Sequence, residues 1–194
     1  MKNYNSNIAF IDILFNLLTG FTALFIISFI LINPIAKKEL IDPPIVLIIE
    51  IRWNDESASD IDLYAKGPDN NIIYFNNKNG AYMVLEKDDL GQKNETFTIN
   101  NQEVILKRNY EMITFSQLPN GDYTTNIHYY GPKTGKPETV NVKITQLAPF
   151  NQILNQNITL VTYQEITAAI FTVNNNKITN IRTDIQIPLK ENKI

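Results

Sequence analysis

The spacing of hydrophobic positions changes once along the chain. From Ile8 to Ile32 the residues read IAFIDILFNLLTGFTALFIISFILI, an apolar run interrupted by one charge. A bilayer core takes about 20 apolar helical residues, and at ~1.5 Å per residue this run reaches roughly 37 Å. It predicts a helix that crosses a membrane with some tilt. A cleaved signal peptide is the competing reading. Its apolar core is typically about 7–15 residues long and ends at a small-residue site, and no Ala-x-Ala precedes Lys37-Lys38.

Polar and small residues within the run fall on one side. At about 100° per residue, Asp12, Asn16, Thr19, Gly20 and Ala23 lie within about a quarter-turn of one another, and Phe10, Phe21, Phe25 and Phe29 lie opposite. Small residues let helices approach closely, and polar ones are tolerated in a membrane where they meet protein or water. The pattern predicts a helix that packs inside an assembly. Asp12 has two readings: a carboxyl that takes up and releases an ion, or an interfacial aspartate favoured by the helix N-terminus. Asn16 and Thr19, one and two turns further along the same face, favour the first, with Gly20 beside them in the pathway lining.

Asn33-Pro34 ends the helical pattern, since proline lacks an amide donor and constrains its predecessor. Residues 34–44 read as a linker or a short plug helix. Beyond Pro44 the period becomes two. Strands are expected at Ile45–Trp53, Asp60–Ala65, Ile72–Phe75, Tyr82–Glu86, Thr96–Asn100, Val104–Lys107 and Tyr110–Phe115. Others follow at Tyr123–Tyr130, Thr139–Gln146, Ile158–Tyr163, Ala168–Val173 and Lys177–Ile187. Turn signals separate them, among them Gly67-Pro68-Asp69-Asn70, Asn79-Gly80 and Asn120-Gly121-Asp122. The loop at 147–156 is the one place where a turn of helix is expected. The fold class is therefore one N-terminal transmembrane helix (1–33 with its short leader), a linker (34–44) and an all-β antiparallel sandwich (45–194).

Composition narrows the chemistry. The net charge is −3, which offers no nucleic acid an electrostatic footprint. There are no cysteines, so disulfides, thiolate metal sites and a cysteine nucleophile are excluded. The sole histidine, His128, reads as a surface or cross-strand residue, and no serine–histidine–acid grouping or phosphate loop is discernible. No enzyme is expected. Tyr129, Tyr130 and Trp53 suit either a carbohydrate-contacting surface or ordinary sheet packing. Asp55, Glu56, Asp60, Asp62 and Asp69 crowd into fifteen residues and form a candidate calcium-ligand set. The competing reading is a solvated acidic edge whose carboxylates cap backbone amides.

Two resemblances extend these readings. Phe10-Ile11-Asp12-Ile13-Leu14, with Leu17-Leu18 and Phe21, resembles the membrane helix of the ExbD/TolR and MotB families, B-type subunits of proton-motive-force-driven motors, although the proline that often precedes the acidic motif there is missing. The resemblance implies that Asp12 is the ion-carrying carboxylate, for H+ or alternatively Na+. It also implies that two copies pair inside a pentameric MotA/ExbB/TolQ-like ring, and that the N-terminus is cytoplasmic. Trp53 to Asn70, WNDESASDIDLYAKGPDN, followed by Leu118 to Tyr130, resembles bacterial extracytoplasmic β-sandwich modules of the YfaP-like and prepeptidase type. Lys2 on one side and Lys37-Lys38 on the other leave the positive-inside balance near a tie. The resemblances together imply a bacterial inner-membrane protein with its sandwich in the periplasm or outside, open to a cell-envelope ligand.

Overall fold

The computed structural model describes residues 6–32, 45–91, 96–105, 107–131 and 136–190. The chain divides into two compact units, Met1–Asp42 and Pro43–Ile194. The first holds a single helix, α1 (Ser6–Ile32). Within it Ile8–Leu31 is long and apolar enough to cross a membrane, with a mean hydropathy of 2.2. The linker expected at 34–44 lies outside the described residues.

The second unit is built from strands. In chain order they are β1 (Leu47–Arg52), β2 (Asp60–Lys66), β3 (Ile72–Ile73), β4 (Met83–Lys87), β5 (Thr96–Ile99) and β6 (Gln102–Ile105), then β7 (Tyr110–Phe115), β8 (Gly121–Gly131), β9 (Glu138–Leu147), β10 (Phe150–Leu160), β11 (Glu165–Asn174) and β12 (Lys177–Arg182). One five-stranded sheet runs β10-β9-β1-β7-β4, a second runs β12-β11-β8-β2-β3, and β5-β6 forms a separate hairpin. Neighbouring strands pair antiparallel, with Ile49 of β1 opposite both Ile113 and Ile144.

Alternation decides which side chains fill the space between the sheets. Leu47, Ile49 and Ile51 of β1, with Val140, Val142 and Ile144 of β9, are fully buried from one sheet. Ile61 and Leu63 of β2, with Phe171 of β11, meet them from the other. Tyr123 stacks on Phe171 with centroids 5.1 Å apart and planes 2° from parallel, and it reaches Phe115 of the facing sheet at 6.0 Å. Its hydroxyl donates to the Pro119 carbonyl at 2.7 Å, a tyrosine corner that pins the turn entering β8.

The local turn chemistry is carried by asparagine. Asn100 and Asn101 both take positive φ between β5 and β6, as do Asn175 and Asn176 between β11 and β12. Two-residue hairpins twist correctly only with both central residues left-handed, and asparagine tolerates this better than most residues. Gly121 has φ of 137°, and a Cβ there would sit 2.6 Å from Pro68 Cβ. Gly121→Ala is therefore expected to lower stability by about 1–3 kcal/mol. Denaturant unfolding followed through Trp53, the only tryptophan, reads this out, and an unshifted midpoint would contradict it.

One expectation fails. The segment at 147–156 contains no turn of helix. Instead β9 and β10 form a long hairpin about Ala148-Pro149, paired from Phe150 with Leu147 to Leu160 with Glu138 and irregular between Gln152 and Leu154. The polar sequence of β10 carries little strand signal by itself. Pairing with β9 supplies it, reinforced where the Asn141 side-chain amide donates to Asn155 and Asn157 at 2.9 and 2.8 Å.

Candidate functional site

Each unit carries a feature of chemical interest. On α1, Asp12, Asn16 and Gly20 follow one another at four-residue spacing, and every residue of the Ile8–Leu31 span is exposed within the chain. The Thr19 hydroxyl donates to the Phe15 carbonyl at 2.8 Å, as Thr22 does to Leu18. Thr19 therefore spends its proton inside its own helix and presents only lone pairs outward. A Cβ added at Gly20 would meet nothing within 4 Å. Gly20 therefore leaves the face bearing Asp12 without a side chain one turn beyond Asn16.

In the sandwich the acidic residues separate into two sets. Asp55, Glu56 and Asp69 serve local bonds. Asp55 Oδ1 accepts the Asn109 amide at 3.1 Å, and Glu56 pairs with Lys107 at 2.6 Å on the surface. Asp69 Oδ1 accepts the Asn71 amide and the Tyr82 hydroxyl, closing the turn after β2. These three sit in loops.

Asp62 is different: it stands within β2 and is 3% exposed. Its carboxylate, that of Asp88 just after β4 and that of Glu111 on β7 each offer an oxygen, and the three oxygens lie within 4.8 Å of one another. Asp60, at the start of β2, adds its charge nearby. Sequence reasoning found Asp60 and Asp62 but missed Asp88 and Glu111. For Glu111 a signal existed, because in Tyr110–Phe115 it alternates with Ile113 and Phe115 and so shares the core-facing side. Asp88 carried none.

Backbone pairing explains why Glu111 is tolerated there. Strand β3 pairs only with Ala65 and Lys66 of β2. Glu111 Oε2 accepts the Leu63 amide at 2.7 Å, and Oε1 accepts the Asp89 amide at 3.0 Å. One carboxylate thereby ties β7 to β2 of the other sheet and to the loop after β4. Asp89, fully buried, is neutralised separately by Lys87 at 2.6 Å and accepts the Gly91 and Tyr110 amides. Asp88 pairs with Lys78 at 2.8 Å.

The electrostatics of the cluster follow from its burial. Desolvation, then the charges of Asp60 and Asp88, push the Asp62 carboxyl up to about 8, against an opposing pull from Lys190. Desolvation and Asp62 hold the Glu111 carboxyl well above the ordinary range, although the Leu63 and Asp89 amides favour its ionised form. His128 pairs with Asp62 across β2 and β8 and is 1% exposed. Burial and the neighbouring Lys190 push its imidazole down to about 4, so it is neutral near pH 7. The Lys190 ammonium lies 3.2 Å from His128 Nε2 and can only donate. Nε2 is therefore the acceptor, and the ring proton sits on Nδ1, which faces Asp62 Oδ2 at 4.0 Å. Of the two readings, surface or cross-strand, His128 takes the second, set in β8 between Asp62 of β2 and Glu165 of β11 and buried.

The aromatic residues also sort differently from the carbohydrate-surface reading. Trp53 and Tyr129 are core, with the indole Nε1–H donating to the Ser59 carbonyl at 3.1 Å and the Tyr129 hydroxyl bonded to the Ser59 side chain at 2.8 Å. Only Tyr130 reaches the surface, where it borders a groove of about 730 Å³ with Tyr64, Tyr74, Phe75 and Lys190. Against known protein families, characterised proteins and solved structures, this chain finds no match.

Proposed function

We propose that this protein is the B-type subunit of an ion-driven membrane motor, in which Asp12 carries the coupling ion, H+ or Na+. The observation that supports the reading is the placement of the only charge in the span on the same face as Asn16, Thr19 and Gly20. As a simple anchor the helix would gain little from an aspartate there. It starts at Ser6, and Asp12 lies beyond its first turn, where the dipole has faded, while the charge costs up to about 2.5–3.5 kcal/mol at a helix centre and somewhat less near an end. Two copies would pair along this face within a ring of MotA/ExbB-like subunits in the bacterial inner membrane. The sandwich, outside the membrane, would anchor or transmit the motion to a cell-envelope ligand.

The absence of native cysteine makes the pairing directly testable. In membranes of the native host, Ala23→Cys is expected to give an oxidised dimer and Phe25→Cys, on the opposite side, to remain monomeric. A multi-span membrane protein should co-purify with both. Monomers at both positions with no multi-span partner would sink the motor reading and leave a membrane-tethered binding module.

A further inference from the structure

We propose that Asp62, Asp88 and Glu111 bind a calcium ion that ties β2, β7 and the loop after β4 together. The geometry points to this class of ion. Calcium–oxygen bonds are about 2.3–2.6 Å, so ligands on opposite sides of one ion stand about 4.6–5.2 Å apart. The three carboxylate oxygens, all within 4.8 Å of one another, are close enough to share one such ion. Magnesium dehydrates reluctantly and usually keeps several waters, which a largely buried set of protein carboxylates suits poorly.

A second observation is independent of the clustering. Asp62 is 3% exposed and its Oδ2 has no hydrogen-bond partner, the His128 Nδ1–H standing too far away at 4.0 Å. Buried polar atoms in folded proteins almost always have partners, and those that do not commonly mark an ion or water site. Lys190 holds the histidine in the tautomer whose Nδ1 carries a proton. That nitrogen cannot ligate a metal, so the ligands are all oxygen, the set a hard cation takes.

Charge points the same way. Among the described residues, no lysine or arginine forms an ion pair with Asp62 or Glu111, whereas Asp88 has Lys78 and Asp89 has Lys87. Buried carboxylates without a counter-charge are costly, and a divalent ion within their reach removes that cost. The ligands come from elements far apart in sequence, so binding is coupled to closure of the sandwich at this edge.

The test uses the full chain in detergent micelles after chelation with EDTA. Calorimetric titration with calcium chloride is expected to show one saturable site below about 1 mM, in the range of extracellular calcium modules. Saturating calcium should raise the melting temperature read from Trp53 by about 5 °C or more. Asp62→Asn and Glu111→Gln should each weaken binding at least about tenfold, whereas Asp69→Asn should leave it intact. Hydrogen exchange on the wild-type protein decides the location without relying on any variant: calcium should slow exchange in residues 60–66, 88–91 and 110–115. The proposal is overturned if the folded wild-type protein binds no calcium up to about 10 mM. It is equally overturned if protection falls elsewhere, or if a folded Asp62→Asn binds as the wild type does. The outcome is independent of the motor reading, which rests on α1 alone.

Discussion

Asp12→Asn is expected to abolish the ion-coupled activity of the native assembly while leaving the protein inserted, paired and present at its usual level. The two readings of Asp12 diverge sharply in this variant. Removing a carboxylate from an apolar helix makes insertion easier, by up to about 2.5–3.5 kcal/mol at a helix centre and less near an end. If Asp12 is only an interfacial residue, the variant is a better anchor and works as well as the wild type. If it carries the ion, asparagine keeps the size and polarity of the side chain but has no exchangeable carboxyl proton and no charge for a cation. The host should then behave as a strain lacking the gene. Asp12→Glu, which keeps the carboxyl and lengthens the side chain, should retain part of the activity. The measurement is complementation of a deletion strain alongside membrane fractionation and cross-linking through Ala23→Cys. Full complementation by asparagine would rule out the ion-carrier role.

The largest loss of stability is expected from Phe171→Ala. The ring is fully buried and stacked on Tyr123, which in turn contacts Phe115 across the sandwich. Truncating a buried phenylalanine costs about 3–5 kcal/mol, from lost transfer free energy and the cavity left behind. Tyr123 cannot collapse into that space, because its hydroxyl is held by the Pro119 carbonyl. A domain of this size is stable by only about 5–15 kcal/mol, so the variant should sit near the edge of folding. Phe150 is the control: it is 77% exposed at the start of β10, and Phe150→Ala should change stability by no more than about 0.5 kcal/mol. Urea unfolding of the full chain in micelles, read from Trp53, compares the two. Since α1 contains no tryptophan, the signal reports the sandwich alone. A Phe171→Ala midpoint equal to that of Phe150→Ala would show that the Tyr123–Phe171 stack does not hold the core.

The hairpin β9–β10 and the acidic cluster show where local pattern stops being informative. β10 has few apolar residues facing the core, and its strand conformation comes from pairing with β9. Asp88 looks like an ordinary loop acid beside Asp89, yet one is paired to Lys78 with an oxygen within 4.8 Å of those of Asp62 and Glu111, and the other is closed off by Lys87. Nothing in Lys87-Asp88-Asp89 distinguishes them.

What the sequence determines by itself is whatever depends on neighbours a few residues away. The long apolar run makes α1, and its 100° periodicity puts Asp12, Asn16, Thr19 and Gly20 on one side. Period-two alternation makes most of the strands, and asparagine doublets make two of the hairpins because asparagine tolerates left-handed backbone. Even Glu111 betrays itself as an acid in a core-facing position between apolar neighbours. Only the tertiary structure decides which distant groups meet. Asp62, Asp88 and Glu111 are joined because β3 leaves the Leu63 amide of β2 to be taken by a carboxylate from β7. His128 becomes an interior residue because β8 lies beside β2 and Lys190, from near the C-terminus, reaches its ring. Those contacts span tens of residues, and no local periodicity encodes them.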